Sequence, residues 1–309
     1  MRTRGDLLIW VNRLFSSSNV DEALAAEQQI TKIVADVAQN FDGSEPIVER
    51  SELAPNSLPK GTKDYPVSRL SDEQVLQLNS LLPWAAVTLD EQQRHIGSPW
   101  SDIKRATPQS LVDKRHVALN KVYPFAGKHV LEVGCFEGIH TISCMSLGAR
   151  VTAVEGRIEN LLKTLTRLWC YDYRADVKRW DLEEEAPADI PSSWDLLHHV
   201  GVLYHLSDPV RHLQHVLSRT SEAVLLDTHV ATDAAAATAS YEVDGQTYAY
   251  YHHHENTSSP FAGVRDHAKW MLVEDIEQLL KSAGFNDIHM NSDRIERNGR
   301  RITLWAFKK

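Results

Sequence analysis

The stretch that decides the fold is His129-Val130-Leu131-Glu132-Val133-Gly134-Cys135-Phe136-Glu137-Gly138. A run typical of a buried strand leads into two glycines four positions apart, and a helical pattern follows. Glycines in such a turn allow a ligand to approach the backbone closely, and the amides at the start of the helix can bind an anionic group. The sequence therefore predicts a ligand-binding turn at the end of a buried strand.

Strand-length apolar runs and helical patterns alternate along the chain from this turn onward. The predicted strands are His129–Val133, Arg150–Val154, Asp176–Trp180, Trp194–Val200, Ala223–Thr228, Asp287–Met290 and Arg301–Phe307. Repeated β–α alternation of this kind implies a parallel sheet covered by helices. We expect an α/β fold with a Rossmann-like, seven-stranded, mostly parallel sheet and helices on both faces.

The first 110 residues lack this alternation of strand and helix patterns. Residues 5–40 carry an apolar face at helical spacing, whereas residues 41–67 are rich in proline and glycine. Ser71-Asp72-Glu73-Gln74 is a capping-box pattern that predicts a short helix ending near Pro83, and Thr107-Pro108 predicts a helix running to Tyr123. We expect a helical N-terminal extension and linker over residues 1–110, used for packing or dimerisation, and a catalytic domain over residues 111–309.

Residues 231–270 interrupt the alternation of strand and helix patterns. Asp244-Gly245, between alternating residues, predicts a hairpin. The run Tyr250-Tyr251-His252-His253-His254-Glu255 has three interpretations: a lid over the substrate, a metal site, or a polar hairpin with incidental histidines. On a strand only His252 and His254 share a side, which is unfavourable for chelation.

Composition limits the function classes. The 309 residues carry a net charge of −9, which argues against broad attraction to nucleic acid or anionic lipid. The three cysteines form neither a CxxC pair nor an even disulfide framework, as is typical of a reducing compartment. The apolar run Leu7–Val11 is too short for a signal peptide or a membrane span. We expect a cytoplasmic protein with no membrane association.

An acidic residue at the tip of the second predicted strand specifies the ligand further. Glu155 follows Gly138 by 17 residues and is placed to accept hydrogen bonds from two ribose hydroxyls. The dinucleotide fingerprint G-x-G-x-x-G is not met, because Phe136 occupies the position of the middle glycine, where a pyrophosphate needs close approach. These features favour a nucleoside ligand other than a dinucleotide.

Several segments in the same order resemble the motifs of class I S-adenosylmethionine-dependent methyltransferases. Glu132–Gly138 is similar to their motif I, and Glu155 matches their ribose-binding acid. Trp180-Asp181-Leu182 resembles the motif that meets the adenine amino group, and His199–His205 resembles the fourth-strand motif. The resemblance implies S-adenosylmethionine as the cofactor. The residues that it assigns to the cofactor are Glu132, Gly134, Cys135, Phe136, Gly138, His140, Glu155, Gly156, Asp181, Leu182, His199 and Val200.

Within that superfamily the sequence resembles the tRNA wobble-uridine carboxymethyltransferase group. The shared segments are Leu82-Pro83-Trp84, Gly138-Ile139-His140 and Gly201–His205. The group has a lysine soon after the Pro-Trp pair that receives the carboxylate of carboxy-S-adenosylmethionine, whereas Ala85-Ala86-Val87 stand here. Loss of that charged partner costs about 1.5–3 kcal/mol, which favours unmodified S-adenosylmethionine.

Methyl transfer to a hydroxyl requires alignment of oxygen, carbon and sulfur, and a base that takes the proton. His205 and His229 follow the fourth and fifth strands, where open α/β sheets place their ligands, and histidine titrates near neutrality. We take His205, His229 and the adjacent Tyr204 as candidate catalytic residues; the alternative for His205 is a wedge against the cofactor, and no metal ligand is assigned.

The acceptor that this pattern favours is a sugar or another small hydroxylated molecule, because an aromatic, polar lid can stack on it and bind its hydroxyls. The alternatives are a tRNA wobble-uridine (carboxy)methyltransferase and a non-catalytic adenosyl-binding scaffold. Whether the chain forms a homo-oligomer is left open.

Overall fold

The computed structural model describes residues 70–99, 106–233 and 236–308, together with Ala25, Gln28 and Gln29. Two compact units divide the chain. The first ends at Ser110 and takes in Trp169–Asp172, and the second comprises Leu111–Leu168 and Tyr173–Lys309. Apart from the three helical positions 25, 28 and 29, the predicted helix over residues 5–40 lies outside the described residues, as does the linker over residues 41–67.

The first unit contains a short helix, α1 (Asp72–Leu81), and a ribbon of two antiparallel strands, β1 (Val87–Leu89) and β2 (His95–Gly97). The capping box predicted at Ser71 is confirmed. The Ser71 hydroxyl accepts the Gln74 amide at 3.3 Å, and the Gln74 side chain accepts the Ser71 amide at 3.0 Å. Two of the amides that a helix N-terminus leaves unpaired are thereby satisfied.

The helix predicted from Thr107 begins later, so that prediction was wrong at its start. Helix α2 spans Lys114–Asn120, and the Asp113 carboxylate caps it by accepting the Arg115 amide at 2.7 Å. The Gln109 amide donates instead to the Val87 carbonyl at 2.8 Å, as part of a bridge to β1. Residue 109 is thus in a β-bridge with Thr88, which requires extended rather than helical backbone.

The second unit is built on the seven-stranded sheet that the sequence predicts. Its strands are β3 (His129–Val133), β4 (Arg150–Glu155), β5 (Asp176–Arg179), β6 (Trp194–Val200), β7 (Thr220–His229), β11 (Asp287–Glu296) and β12 (Gly299–Phe307). They lie in the order β11-β12-β7-β6-β3-β4-β5, and only β12 runs against the others. The chain changes direction across the sheet between β3 and β6, which is where open α/β sheets place ligands.

Helices cover both faces of this sheet, which confirms the predicted fold class. Besides α2 they are α3 (Ile139–Ser146), α4 (Ile158–Cys170), α5 (Pro209–Ser218) and α6 (Val273–Ser282). Successive residues of a strand point to opposite faces. His198 of β6 accordingly contacts His116 of α2, whereas His199 contacts His212 of α5. None of the helices in the described part of the chain combines the length and apolar character needed to cross a membrane.

The final hairpin is longer than the sequence predicts. Strand β11 was expected to end at Met290 but continues to Glu296, and β12 begins at Gly299 rather than Arg301. The extra residues pair with each other, with Arg294 opposite Arg301. Their polar side chains hide the strand pattern in the sequence, but the cross-strand pairing satisfies their backbone groups.

A separate three-stranded antiparallel sheet occupies most of the 231–270 region. It consists of β8 (Ala239–Val243), β9 (Gln246–His254) and β10 (His267–Met271), in the order β10-β9-β8. The predicted hairpin is confirmed: Asp244 and Gly245 have φ of 51° and 79°, as a two-residue turn between twisted strands requires. Strand β10 was not predicted, because its pairing with β9 spans a long loop.

Candidate functional site

The glycine turn after β3 has a backbone that only glycine adopts without strain at two positions. Gly134 and Gly138 have φ of 63° and 76°. A Cβ on Gly134 would lie 2.5 Å from Cγ2 of Val202, and one on Gly138 would lie 3.1 Å from Cγ2 of Thr164. The glycines are therefore required by the close packing of the turn on the protein itself, in addition to the ligand approach that the sequence predicts.

Glu155, at the end of β4, lies beside this turn. Its Oε2 accepts the Phe136 amide at 3.0 Å and its Oε1 accepts the Arg157 amide at 2.9 Å. The residue is 9% exposed, and burial raises the pKa of its carboxyl. These hydrogen bonds hold the side chain in one orientation, and a carboxylate has about four acceptor positions, so Glu155 keeps acceptor capacity for a hydroxyl group.

Glu132 and Cys135 have side chains inside the protein. Oε2 of Glu132 accepts the Thr141 hydroxyl at 2.6 Å, and Oε1 is buried with no hydrogen-bond partner. Burial raises the pKa of the Glu132 carboxyl to about 8. The Cys135 thiol lies 3.4 Å from the Thr164 hydroxyl, and burial raises its pKa. These two side chains therefore support the turn from behind, and a ligand in the turn would meet their backbone.

The segment after β5 supplies Asp181 and Leu182. The Asp181 carboxylate is partly exposed and lies 3.0 Å from the Arg265 guanidinium. His212 donates from Nδ1 to the Leu182 carbonyl at 3.3 Å, and its Nε2 lies 2.9 Å from Nε2 of His199. Burial lowers the pKa of both histidines. His199 thus supports the Asp181–Leu182 segment through His212, rather than through a contact of its own.

Three further predicted cofactor residues lie directly after β4, at the end of β6 and in the first turn of α3. A Cβ on Gly156 would lie 3.3 Å from Cγ2 of Val264. Val200 is buried at the end of β6. His140 is partly exposed in the first turn of α3, and its Nε2 lies 3.3 Å from the Asp113 carboxylate. The structure places all twelve predicted cofactor residues on the turns that follow β3, β4, β5 and β6, on the ends of those strands, or on the start of α3.

The loop between β9 and β10, which we call the covering loop (residues 256–266), lies over this glycine turn. The Phe261 ring stacks on Phe136, with centroids 5.2 Å apart. The Arg157 guanidinium donates to three carbonyls of the covering loop at 2.7–3.2 Å. These carbonyls belong to Thr257, Ala262 and Gly263. The segment in contact with the predicted cofactor site is therefore the one that follows the histidine run.

His205 forms an acid–imidazole pair with Glu255. Nδ1 of His205 lies 2.8 Å from Oε1 of Glu255, and Oε2 of Glu255 accepts the Gly263 amide at 3.2 Å. The imidazole is 20% exposed, whereas the Glu255 side chain is 4% exposed. Sequence reasoning assigned Glu255 no role of its own. Its partner lies 50 positions away, and no local pattern joins the two.

The three candidate catalytic residues lie together. The Tyr204 ring centroid is 4.1 Å from that of His205 and 4.8 Å from that of His229. His229 is 3% exposed, its Nδ1 donates to the Arg300 carbonyl at 3.3 Å, and burial lowers its pKa. Its Nε2 lies 3.5 Å from the Arg301 guanidinium. His205 is therefore the more accessible of the two imidazoles.

Asp227, buried in β7, is a site residue that the sequence analysis missed. It accepts Nε of Arg301 and the Thr303 hydroxyl, both at 2.6 Å, and lies 3.1 Å from Nη1 of Arg115. Burial disfavours its ionisation, but the charges of Arg301 and Arg115 outweigh that cost and keep its pKa below the usual value. Arg301 also lies over the Tyr204 ring, 5.4 Å from its centroid. The carboxylate thus fixes the arginine that borders the candidate catalytic residues.

The histidines of β9 separate onto two faces, as the strand pattern predicts. His252 stacks on His267 with centroids 5.5 Å apart, whereas His253 stacks on Trp270 at 4.7 Å. Trp270 also stacks on His229 at 5.0 Å. The inward face of β9 therefore contributes aromatic packing behind the candidate catalytic residues.

The sequence over residues 103–290 matches the family model of a methyltransferase domain. The chain belongs to this family. The match confirms the predicted enzyme class, an S-adenosylmethionine-dependent methyltransferase, and with it the cofactor. The glycine turn and the Glu155 carboxylate beside it fit such a cofactor.

The methyltransferase is similar to solved structures of EvdMO1. The N-terminal domain of that protein was solved in the presence of SAH (S-adenosylhomocysteine) and D-fucose. It is 22% identical, with a TM-score of 0.64 over 78% of this chain and 98% of that domain. The same domain with SAH bound is 23% identical, with a TM-score of 0.64 over 77% and 96%.

EvdMO1 itself is 20% identical, with a TM-score of 0.54 over 76% of this chain. The methyltransferase spans 47% of that longer chain. At these identities the likeness shows a shared fold. No curated protein matches the sequence with significance.

Proposed function

We propose that this methyltransferase methylates a hydroxyl group of a sugar or another small hydroxylated acceptor, with His205 as the base. The observation that carries the proposal is the 2.8 Å contact between Nδ1 of His205 and the buried Glu255 carboxylate. A carboxylate that holds Nδ1–H leaves Nε2 as the nitrogen that accepts a proton. The Gly263 amide holds the second oxygen of Glu255, so the pair keeps one orientation.

S-adenosylmethionine, when bound, supplies an electrophilic methyl group on a sulfonium. We assign Glu155 to its ribose hydroxyls and Asp181 to its adenine amino group. The amides at the start of α3, which no side chain caps, are available to its carboxylate. The remaining predicted cofactor residues contribute backbone and packing around the glycine turn, and the covering loop excludes water from that side.

A hydroxylated acceptor agrees with the side chains near His205. A hydroxyl loses its proton on methylation, so its enzyme benefits from a positioned base. Tyr204 and Arg301 lie beside His205 and offer hydrogen bonds to a polyhydroxylated molecule, and Tyr251 offers a partly exposed ring for stacking. The presence of D-fucose with the N-terminal domain of EvdMO1 supports the same class of acceptor.

The test is an acceptor screen with methyl-labelled cofactor. We expect label to be transferred to one or more free or nucleotide-linked sugars, and Glu255→Gln to slow turnover while leaving SAH affinity unchanged. Transfer to bulk tRNA, with steep salt dependence of binding, would instead establish the tRNA-modifying alternative. SAH binding without methyl transfer to any acceptor would establish the other alternative, a non-catalytic adenosyl-binding scaffold.

Several sequence predictions remain proposals beside this one. They are a domain boundary near residue 110, a lid function for residues 231–270 as a whole, a cytoplasmic location and a homo-oligomer. Size measurement in solution tests the last of these, and hydrogen exchange over residues 231–270 with and without SAH tests the lid.

A further inference from the structure

Side chains of metal-binding types cluster in the buried layer between the sheet and helices α2 and α3. Among the residues that the structure describes, two overlapping groups each place one ligand atom per residue within 4.8 Å of the others. The groups are His116, Cys144 and His198, and Glu132, His140 and His198. Neither includes the β9 histidines, where the sequence raised a metal site.

Two atoms of the second group lack hydrogen-bond partners. Oε1 of Glu132 and Nδ1 of His198 are both buried and unpartnered. The two residues lie directly opposite each other on β3 and β6, so their side chains extend from the same face of the sheet. Buried polar atoms are nearly always bonded. When Nε2 of His198 donates to His116, Nδ1 is an acceptor, and it then forms with Oε1 of Glu132 a facing pair of acceptors that a cation can bind.

The other polar atom of each of these side chains is held by a neighbour. Oε2 of Glu132 accepts the Thr141 hydroxyl at 2.6 Å. Nε2 of His198 lies 2.8 Å from Nε2 of His116, whose Nδ1 lies 2.8 Å from the Ser143 hydroxyl. Metal-binding imidazoles and carboxylates characteristically have their second polar atom bonded in this way, because it fixes the tautomer and the orientation of the ligand atom.

His140 completes the set from α3. Its Nε2 lies 3.3 Å from the Asp113 carboxylate and 3.1 Å from the Arg115 guanidinium. With a cation on Nδ1, Nε2 carries the proton and donates it to Asp113, which is the carboxylate–histidine–metal arrangement, and Nη2 of Arg115 then donates to Asp113 alone, at 2.7 Å. The His140 side chain is 30% exposed, which provides a route from solvent to the buried ligands.

We propose that Glu132, His140 and His198 form a binding site for a divalent first-row transition metal ion such as Zn²⁺. One carboxylate and two imidazoles suit these ions, whereas Mg²⁺ and Ca²⁺ prefer oxygen ligands. The group with Cys144 is less suitable, because His116 and His198 point their Nε2 atoms at each other within hydrogen-bond distance.

The role of the ion is structural: it joins β3, β6 and α3 behind the glycine turn. The site shares Glu132 and His140 with the predicted cofactor residues and no residue with the proposed base, so its test measures metal binding rather than methyl transfer.

The experiment begins with the native protein. Elemental analysis of the purified chain is expected to find about one transition metal ion per chain. After chelation, titration with Co²⁺ is expected to give saturable visible absorption that Zn²⁺ abolishes, together with a rise in the unfolding temperature. Absence of bound metal combined with absence of Co²⁺ binding would overturn the proposal.

Variants locate the ion. Glu132→Gln and His198→Asn are expected to abolish the Co²⁺ spectrum, and Asp113→Asn to weaken Co²⁺ binding about 10- to 100-fold. Circular dichroism and cooperative thermal unfolding show whether each variant is folded; SAH binding is not used for this, because Glu132 is also a predicted cofactor residue. Asp113 is not itself a ligand, so its variant remains informative if the ligand variants do not fold.

Two controls separate this site from adventitious binding. His212→Gln alters the other buried histidine pair, on the opposite face of β6, and is expected to leave Co²⁺ affinity unchanged. The double variant His252→Ala, His254→Ala removes exposed histidines that could bind Co²⁺ at the surface. Loss of the Co²⁺ spectrum in that double variant, with no change in Glu132→Gln, would show an adventitious ion only.

Discussion

The predicted cofactor side of this site and its proposed acceptor side are built in different ways. Gly134, Gly138 and Glu155 belong to one continuous strand–turn–helix–strand segment. On the acceptor side, His205, Asp227 and Glu255 come from three separate parts of the chain and meet only in the fold. The comparison indicates that a site made from one local segment can be identified in a sequence, whereas a site assembled from distant segments cannot.

The largest effect is expected from the acceptor side. His205→Ala should lower kcat about 10²- to 10⁴-fold, because a positioned general base contributes that much, while SAH affinity stays unchanged. Steady-state kinetics and calorimetry measure the two quantities. His229→Gln should slow turnover less, since its Nε2 faces Arg301. If His229→Gln lost all turnover while His205→Ala kept it, the base would be His229.

On the cofactor side, Gly134→Ala should weaken SAH binding about 100-fold. The new Cβ would lie 2.5 Å from Val202 in a backbone with φ of 63°. Left-handed backbone costs a non-glycine residue about 1–2 kcal/mol, and the steric conflict adds to it. Calorimetry with SAH gives the affinity. Val202→Ala in the same chain should restore part of it, and no restoration would show that the backbone strain alone matters.

Glu155→Ala should weaken SAH binding about 10- to 100-fold while sparing the acceptor KM. A hydrogen bond to a charged carboxylate contributes about 1.5–3 kcal/mol, part of which water replaces. Glu155→Gln keeps the size and one acceptor oxygen and should lose less. Equal SAH affinity in Glu155→Ala and the parent would remove the ribose assignment.

Arg157 connects the two sides of the site. Its amide donates to Glu155, and its guanidinium donates to Gly263, whose own amide holds Glu255. Arg157→Lys removes most of the three carbonyl contacts to the covering loop and should lower kcat/KM about 10-fold, since closing loops exclude water and position substrate. Hydrogen exchange should become faster over residues 256–266. Arg211→Lys, on the exposed surface of α5, is the matched control and should change neither quantity.

The smallest effect concerns stability against pH. Burial beside His199 and His215 lowers the pKa of His212 from 6.5 to about 4. The unfolded chain therefore binds the proton more readily, so this contribution to stability is complete above pH 6.5 and is lost as pH falls toward 4. The loss amounts to about 2 kcal/mol between pH 7 and pH 5. The free energy of unfolding, measured with urea, should fall less between pH 7 and pH 5 in His212→Gln than in the parent. An equal fall in both would show that His212 does not cause it.

The sequence by itself determined the parallel sheet, the glycine turn, the acidic residue at the end of β4 and the hairpin at Asp244-Gly245. In each case the physical cause lies within a few residues: strand and helix periods differ, a left-handed backbone favours glycine, and a two-residue turn needs positive φ. The predicted helix start at Thr107 and the predicted ends of β11 and β12 were wrong. At these places a bridge or a cross-strand partner supplies the backbone hydrogen bonds.

Only the tertiary structure decided which distant groups became partners. It joined His205 to Glu255, gathered arginines on Asp227, laid the covering loop on Phe136 and brought Glu132, His140 and His198 together. These pairings depend on strand order and on which face of a strand each side chain occupies. A sequence records the alternation of faces, but the packing of helices against each face decides what a buried polar group meets.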